Sequence, residues 1–237
     1  MRILALDSSG LVATVAVVED EQTIAEYTVN YKKTHSQTLL PMLDEIVKMT
    51  ELDLNTIDAI ATSGGPGSFT GLRIGAATAK GLGMALGKPL IHIPTVDALA
   101  YNLFGTSRLI CPIMDARRNQ VYTGIYRFES EFWTVEGQMA IGIDELVEKL
   151  NVKGEPVVFL GDAVPVQRAY LEEFLKVDHI FAPAHMNRQR AAAVGTLGVS
   201  YYKKGLTETA AEHRPDYLRL SQAERERAER EKAAKGC

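Results

Sequence analysis

The chain has 237 residues, 46% hydrophobic and 24% charged: enough apolar material for one large domain or two small ones, with no signature of general disorder. A formal net charge of −4 argues against a protein that grips nucleic acid by itself, because phosphate contacts supply most of that affinity and call for a basic excess. Two cysteines without a CxxC pair exclude a disulfide framework and a zinc finger, MRILALDSSG is too short an apolar run for a signal peptide, and no apolar stretch of about 18 residues exists; a reduced, soluble, cytoplasmic protein is expected.

Arg2 to Leu6 is an apolar run that predicts a strand, followed by a turn at Asp7-Ser8-Ser9-Gly10. Leu11 to Val18 and Thr23 to Tyr31 predict two more strands around the turn Glu19-Asp20-Glu21. From Ser36 the period changes: Leu39, Leu40, Leu43, Ile46 and Val47 fall at helical spacing, with Pro41 inside the helix. Ile57 to Ala61 is a short buried strand, Thr70 to Leu86 a helix, and Pro89 to Ile93 a fifth strand.

A similar order recurs. Leu109 to Met114 is an apolar run that again ends in an aspartate, Asp115, before the polar turn Ala116-Arg117-Arg118-Asn119. Val121 to Phe128 and Glu131 to Ala140 read as strands, Asp144 to Leu150 as a helix, and Pro156 to Leu160 as a strand ending in Gly161. Val166 to Leu175 is helical and His179 to Phe181 a short strand. Two copies of one supersecondary unit are expected: a first domain over 1–105, a second over 106–220 whose last helix docks back on the first, and a charged helical or frayed tail over 221–237.

The densest signal is SGGPGSFTGLRIGAATAKGLGMALG, residues 63–87. Glycines around Pro66 turn the chain sharply out of a strand, and Ser68 or Thr70 can cap the next helix. A glycine-rich loop before a helix suggests a phosphate cradle, but GxxxxGK[ST] is absent and Gly65-x-Gly67-x-x-x-Gly71 misses the dinucleotide spacing by one. Within the helix, Gly71, Gly75, Ala79, Gly83 and Gly87 recur every fourth residue on one face. Each interior glycine costs about 1 kcal/mol relative to alanine, so close approach by another element must compensate, either the chain's own sheet or a partner helix.

If the strand order is 3-2-1-4-5, right-handed crossovers put the two helices side by side on one sheet face. The first is apolar over a wide arc, which suits double coverage by its sheet and by a partner. The expected interface is therefore Ser36, Leu39, Leu40, Leu43 and Val47 with Gly71, Gly75, Ala79 and Gly83, self-complementary in a homodimer and shared with other partners.

The stretches ILALDSS (3–9), HSQTLLP (35–41), GGPGSFTGLRIGAATAKGLG (64–83), MDARRNQVY (114–122) and RPDYLR (214–219) resemble the TsaB, or YeaZ, family of tRNA threonylcarbamoyladenosine biosynthesis proteins across nearly the whole chain. The resemblance implies an α/β actin-like fold of the sugar-kinase and heat-shock ATPase type, two related domains each with a mixed five-stranded sheet of order 3-2-1-4-5. It also implies a partner, the transferase TsaD, which places threonylcarbamoyl on N6 of adenosine 37 in tRNAs reading ANN codons, and a further partner, the small ATPase TsaE; tRNA is met only through the complex.

The same resemblance bears on catalysis. Where TsaD-like proteins carry a metal-binding HxxxH pair, this chain has Thr95 and Leu99, neither of which can replace imidazole. Asp7, Ser8, Ser9, Asp115 and Gly161 mark a degenerate nucleotide loop: Arg117 and Arg118 stand where such ATPases use small residues, and Gly161-Asp162 where they use a glycine pair. The expectation is a non-catalytic scaffold that holds no metal and no cofactor alone, with ATP or ADP admitted only at a complex interface. The competing reading is a stand-alone actin-fold ATPase or kinase.

Overall fold

A computed structural model describes residues 1–31 and 33–219, so the tail expected from residue 221 lies outside the described residues. The first sheet comprises β1 (Arg2–Asp7), β2 (Ala13–Glu19), β3 (Gln22–Val29), β4 (Ala59–Gly65) and β5 (Leu90–Pro94), in the order β3-β2-β1-β4-β5. β2 runs antiparallel to both neighbours, while β1, β4 and β5 are mutually parallel. The central strands are buried along their length, which is why their sequences read as continuous apolar runs rather than alternations.

Helices α1 (His35–Met49) and α2 (Phe69–Leu86) link the parallel strands, and both cover one face of this sheet. Leu39, Met42, Leu43 and Ile46 of α1 and Ala79 of α2 pack there with Leu4, Leu6, Val15, Val17 and Leu90. The opposite face is covered by α3 (Thr95–Tyr101) and α6 (Ala191–Lys203), two helices for which the sequence reading gave no range. Ala191, Val194 and Leu197 of α6 meet Ile3, Ala5, Ala16, Val18 and Ile91. A Cβ at Gly195 would stand 2.6 Å from Val18 Cγ2, so this helix packs tightly on the side chains of the sheet.

The second sheet repeats the pattern. It comprises β6 (Leu109–Asp115), β7 (Gln120–Phe128), β8 (Phe132–Gly142), β9 (Val157–Leu160) and β10 (His179–Phe181), in the order β10-β9-β6-β7-β8. Helices α4 (Ile143–Lys153) and α5 (Val164–Phe174) cover one face through Leu146, Leu150, Val164 and Leu171. α3 packs on the other through Val96, Leu99 and Ala100, so this short helix is wedged between the two sheets. The duplicated 3-2-1-4-5 order is thus present in both halves.

One expectation is corrected here. Gly71, Gly75, Ala79 and Gly83 were expected to offer surface to a partner helix, and all four are buried against the chain's own first sheet. A Cβ at Gly71 would collide with the carbonyl oxygen of Ser8, and one at Gly75 would lie 2.7 Å from Ser8 Oγ. At Gly83 it would stand 3.0 Å from Leu90 Cδ2. Leu39 and Leu43 are buried in the same layer, and Val47 is half-buried beside it. Of the expected set, Ser36 and Leu40 alone face outward.

Candidate functional site

The β1–β2 turn is where an actin-like fold would hold a phosphate, and here its aspartate is fully committed to the chain. Asp7 is 1% exposed. Its Oδ1 accepts from Ser9 N–H at 2.8 Å and Ser9 Oγ–H at 2.7 Å, and its Oδ2 accepts from Ser63 Oγ–H at 2.6 Å. Burial raises its pKa, opposed by the hydrogen bonds from Ser63 and Ser9 and by the nearby His35. Ser8 Oγ–H donates to the carbonyl of Gly71 at 2.9 Å, and Ser68 N–H donates to the carbonyl of Ser9 at 2.7 Å. The first turn of α2 therefore lies directly on the turn, with Ser68 capping the helix by accepting from Gly71 N–H.

A cleft of about 740 Å³ opens beside this clamp, between the two halves. Ser9, Gly10, Leu11, His35 and the start of α2 form one wall; Met114, Asp115, Arg117, Tyr122, Asp162 and Arg219 form the other. His35 Nε2 lies 2.9 Å from the carbonyl of Gly10, so that nitrogen carries the proton, and Nδ1 is buried without a partner. The ring is thus spent on a backbone carbonyl rather than on a nucleophile.

The second turn is built differently. Arg117, Arg118 and Asn119 all have left-handed φ, at 65°, 55° and 58°, a conformation costly for side-chain-bearing residues. Asp115 holds the turn by accepting from Arg117 N–H at 2.7 Å, and Asp162 accepts from Asp115 N–H at 2.9 Å. Burial raises the pKa of Asp162. Arg219 donates to the carbonyls of Ala116 and Arg117, so the C-terminal segment fastens this turn. Gly161 sits at φ 116° with the Ile113 carbonyl where a Cβ would be. The cleft thus brings Ser9, Gly71 and Asp115 together, whereas Asp7 and Ser8 face inward behind it.

Sequence reasoning missed the role of residues 208–219. Tyr217 stacks on Phe69 and accepts from Arg73 Nε–H at 3.2 Å. Asp216 N–H donates to the carbonyl of Gly64, and the Asp216 carbonyl lies where a Cβ of Gly65 would be. Gly65 has φ 127°, so the residue there must be glycine on both counts. The imidazole of His92 occupies the space beside Gly64. The glycine-rich loop is therefore shaped by the chain's own C-terminal segment and by its own histidine. The two motifs GGPGSFTG and RPDYLR were visible as separate stretches; that one is the mould of the other was not.

Thr95 and Leu99, at the expected histidine-pair positions, are both completely buried in α3. On the outer side of α1 and α2, Leu40 is 54% and Met84 76% exposed, flanked by exposed Pro41, Ala77 and Gly81. No helix among the described residues is long and apolar enough to cross a membrane.

Comparison with known proteins agrees with this architecture. A family model described as TsaD, tRNA N6-adenosine threonylcarbamoyltransferase, matches residues 22–227. The chain is 33% identical over 227 residues to the tRNA threonylcarbamoyladenosine biosynthesis protein TsaB of Bacillus subtilis (strain 168), covering 94% of this chain and 96% of that one. It is 35% identical over 153 residues to TsaB of Escherichia coli (strain K12), covering 63% and 65%. The solved structure of YeaZ from Pseudomonas aeruginosa superposes with a TM-score of 0.79 at 23% identity, over 92% of this chain and 99% of that one. The inorganic polyphosphate/ATP-glucomannokinase of Arthrobacter sp. strain KM superposes at 0.51 with 11% identity, over 86% and 99%, which places the fold in the actin-like class.

Proposed function

Because the chain belongs to the TsaB (YeaZ) family of tRNA threonylcarbamoyladenosine biosynthesis proteins, we propose that it works in the cytoplasm as the non-catalytic subunit that binds and activates the TsaD-type threonylcarbamoyl transferase. The observation that carries the reading is the state of Asp7. Each of its oxygens accepts from a serine of the chain itself, and the helix that follows the glycine-rich loop is laid against the same turn, so no carboxylate of that turn is left to organise a metal-bound phosphate. Thr95 and Leu99 in place of an imidazole pair point the same way.

The partner surface on this reading is the outer side of α1 and α2, with Leu40, Pro41, Ala77, Gly81 and Met84, in place of the buried stripe. Apolar area contributes roughly 25 cal/mol per Å² when covered, and exposed Leu and Met beside small residues let a helix pair approach closely. The same surface pairs two copies of the chain when the transferase is absent. A TsaE-type ATPase joins the pair, ATP or ADP enters only at the shared interface, and tRNA is contacted through the transferase.

The test is reconstitution. The purified chain is mixed with its cognate TsaD-type transferase, a threonylcarbamoyl-adenylate source and unmodified tRNA. Complex formation on size exclusion and modification that requires both chains are expected. Modification by this chain alone would overturn the non-catalytic reading, and micromolar binding of ATP and magnesium to it alone with turnover would restore the stand-alone ATPase or kinase.

A further inference from the structure

The C-terminal segment is strapped across the first half and arrives at the cleft. It crosses β5 where the Leu90 and Glu208 backbones exchange two hydrogen bonds, at 2.8 and 2.9 Å. It then sets His213 beside His92, with 5.7 Å between ring centroids, and passes the glycine-rich loop at Asp216 and Tyr217. Arg219 ends this path: it forms part of the cleft wall, and its guanidinium donates to the carbonyls of Ala116 and Arg117 in the second half. Residue 220 therefore starts at the cleft, and residues 220–237 continue from there.

The cleft has unmet surface of two kinds. Three large apolar side chains line it yet face solvent: Leu11 at 63%, Tyr31 at 70% and Val166 at 70% exposed. Its volume of about 740 Å³ falls among the cavities that bury a whole ligand, roughly 300–1,000 Å³. Two buried acceptors beside it have no donor. One is Nδ1 of His35, the lone-pair nitrogen of that ring. The other is Oε1 of Gln189, a side chain 2% exposed whose Nε2 lies 3.7 Å from Met114 Sδ. A Cβ on Gly10 would stand 3.0 Å from that oxygen, and Gly10 and Met114 belong to opposite walls, so this acceptor sits where the walls meet. The charged lining is balanced: Lys33 and Arg117 stand against Asp115 and Asp162, while Arg219 is bound to carbonyls. A polyphosphate calls for a cationic excess, which this lining lacks.

We propose that the occupant of the cleft in the isolated chain is the chain's own tail, residues 220–237, which turns in from Arg219 between the two halves. Leu220, the first residue past the anchor, meets the apolar wall of Leu11 and Val166. SQAERERAEREK follows, with acid and base alternating. Glu224 and Glu226 match Lys33 and Arg117; Arg225 and Arg227 bring donors to Asp115, Asp162 and the two orphan acceptors. Arginine only donates, which is what His35 Nδ1 and Gln189 Oε1 lack. A segment tethered this close to its site has an effective concentration of about millimolar, so ion pairs of modest individual strength suffice to hold it. The docked tail closes the cleft to small molecules in the isolated chain and yields it only when a partner displaces the tail.

Thiol labelling of the cleft wall tests this. In the full-length Cys237→Ser chain Cys111 stays silent, because it is fully buried and burial pushes its thiol up to about 12. Val166→Cys is added at the cleft or, as a reference, Val152→Cys on α4, 82% exposed and outside it. Position 166 is expected to react with a charged disulfide reagent roughly tenfold or more slowly than position 152. Leu220→Asp with Arg225→Glu and Arg227→Glu should restore the rate at 166 and leave 152 unchanged, and the protection should not vary with protein concentration. Equal rates at 166 and 152 overturn the proposal, as does slow reaction at 166 that survives the three tail substitutions. Protection that grows with protein concentration overturns it as well and gives the cleft to a second copy. These readouts need neither transferase nor tRNA, so they stand apart from the functional reading above.

Discussion

The ring of Tyr217 lies flat on the ring of Phe69, with 4.6 Å between centroids and 2° between planes. One ring opens α2 and the other comes from the far end of the described chain, so the stack closes the C-terminal segment over the glycine-rich loop. Arg73 adds a hydrogen bond to the same tyrosine, and its guanidinium lies 5.9 Å from the ring centroid.

Tyr217→Ala should therefore lower stability by about 1 kcal/mol, the usual worth of an aromatic pair that is partly exposed. For a chain of this size that is about 2–4 °C in Tm. Tyr217→Phe keeps the stack and loses only the hydrogen bond, so less than half of that loss is expected. Urea denaturation of the three proteins side by side decides it; equal losses for Ala and Phe would place the stability in the hydroxyl instead.

Gly71 and Gly81 lie on one helix and should respond oppositely to alanine. At Gly71 the new Cβ meets the Ser8 carbonyl, a backbone atom that cannot step aside, and a loss of about 3 kcal/mol or more is expected. At Gly81 nothing lies within 4 Å, so Gly81→Ala should gain about 1 kcal/mol from helix propensity alone. Thermal melts of both variants check the pair.

Leu40→Glu, Ala77→Arg and Met84→Glu change exposed positions and should leave the monomer's Tm within about 2 °C. Each should weaken self-association and transferase binding together, by tenfold or more, as read by analytical ultracentrifugation and by a pull-down with the transferase. If all three bind normally, the partner sits elsewhere.

Asp7→Asn separates a structural aspartate from a phosphate-handling one. Burial raises the carboxyl's pKa above the ordinary 3.8. Such a group favours the fold while protonated: its contribution is whole below pH 3.8 and is lost as the pH climbs through the folded-state pKa. Asparagine stays neutral throughout. The Tm of the variant relative to the parent should therefore rise between pH 4 and pH 7, and tRNA modification by the reconstituted complex should be retained. A variant that folds normally but abolishes modification would return Asp7 to the chemistry.

Much of the architecture was legible because strands buried on both faces leave unbroken apolar runs, and because right-handed crossovers leave α1 and α2 no choice but the same sheet face. Which way the glycines of α2 point was not legible. A small residue every fourth position looks alike whether it meets a partner or the chain's own backbone, and only the position of Ser8 decides between them. The range of α6 was not legible because AAAVGTLGVSYYK carries no clear polar face, and Arg190 before it supplies no side-chain cap. In the site, the Asp7 turn was visible as a motif. The meeting of His92 with His213 was not, since the residues lie far apart in the chain and only the crossing of β5 by the C-terminal segment joins them.

The position of α6 has a consequence for how the molecule is made. All five strands of the first sheet have left the ribosome once residue 94 has, yet Ile3, Ala5, Ala16, Val18 and Ile91 await a cover that begins at residue 191. Through the whole synthesis of the second sheet, the nascent first half presents an apolar face that α3 covers only in part, so it cannot finish folding as an isolated unit in the order it is translated. A fragment ending near residue 105 should accordingly be captured by chaperones or aggregate, and supplying residues 106–219 as a separate chain should rescue it.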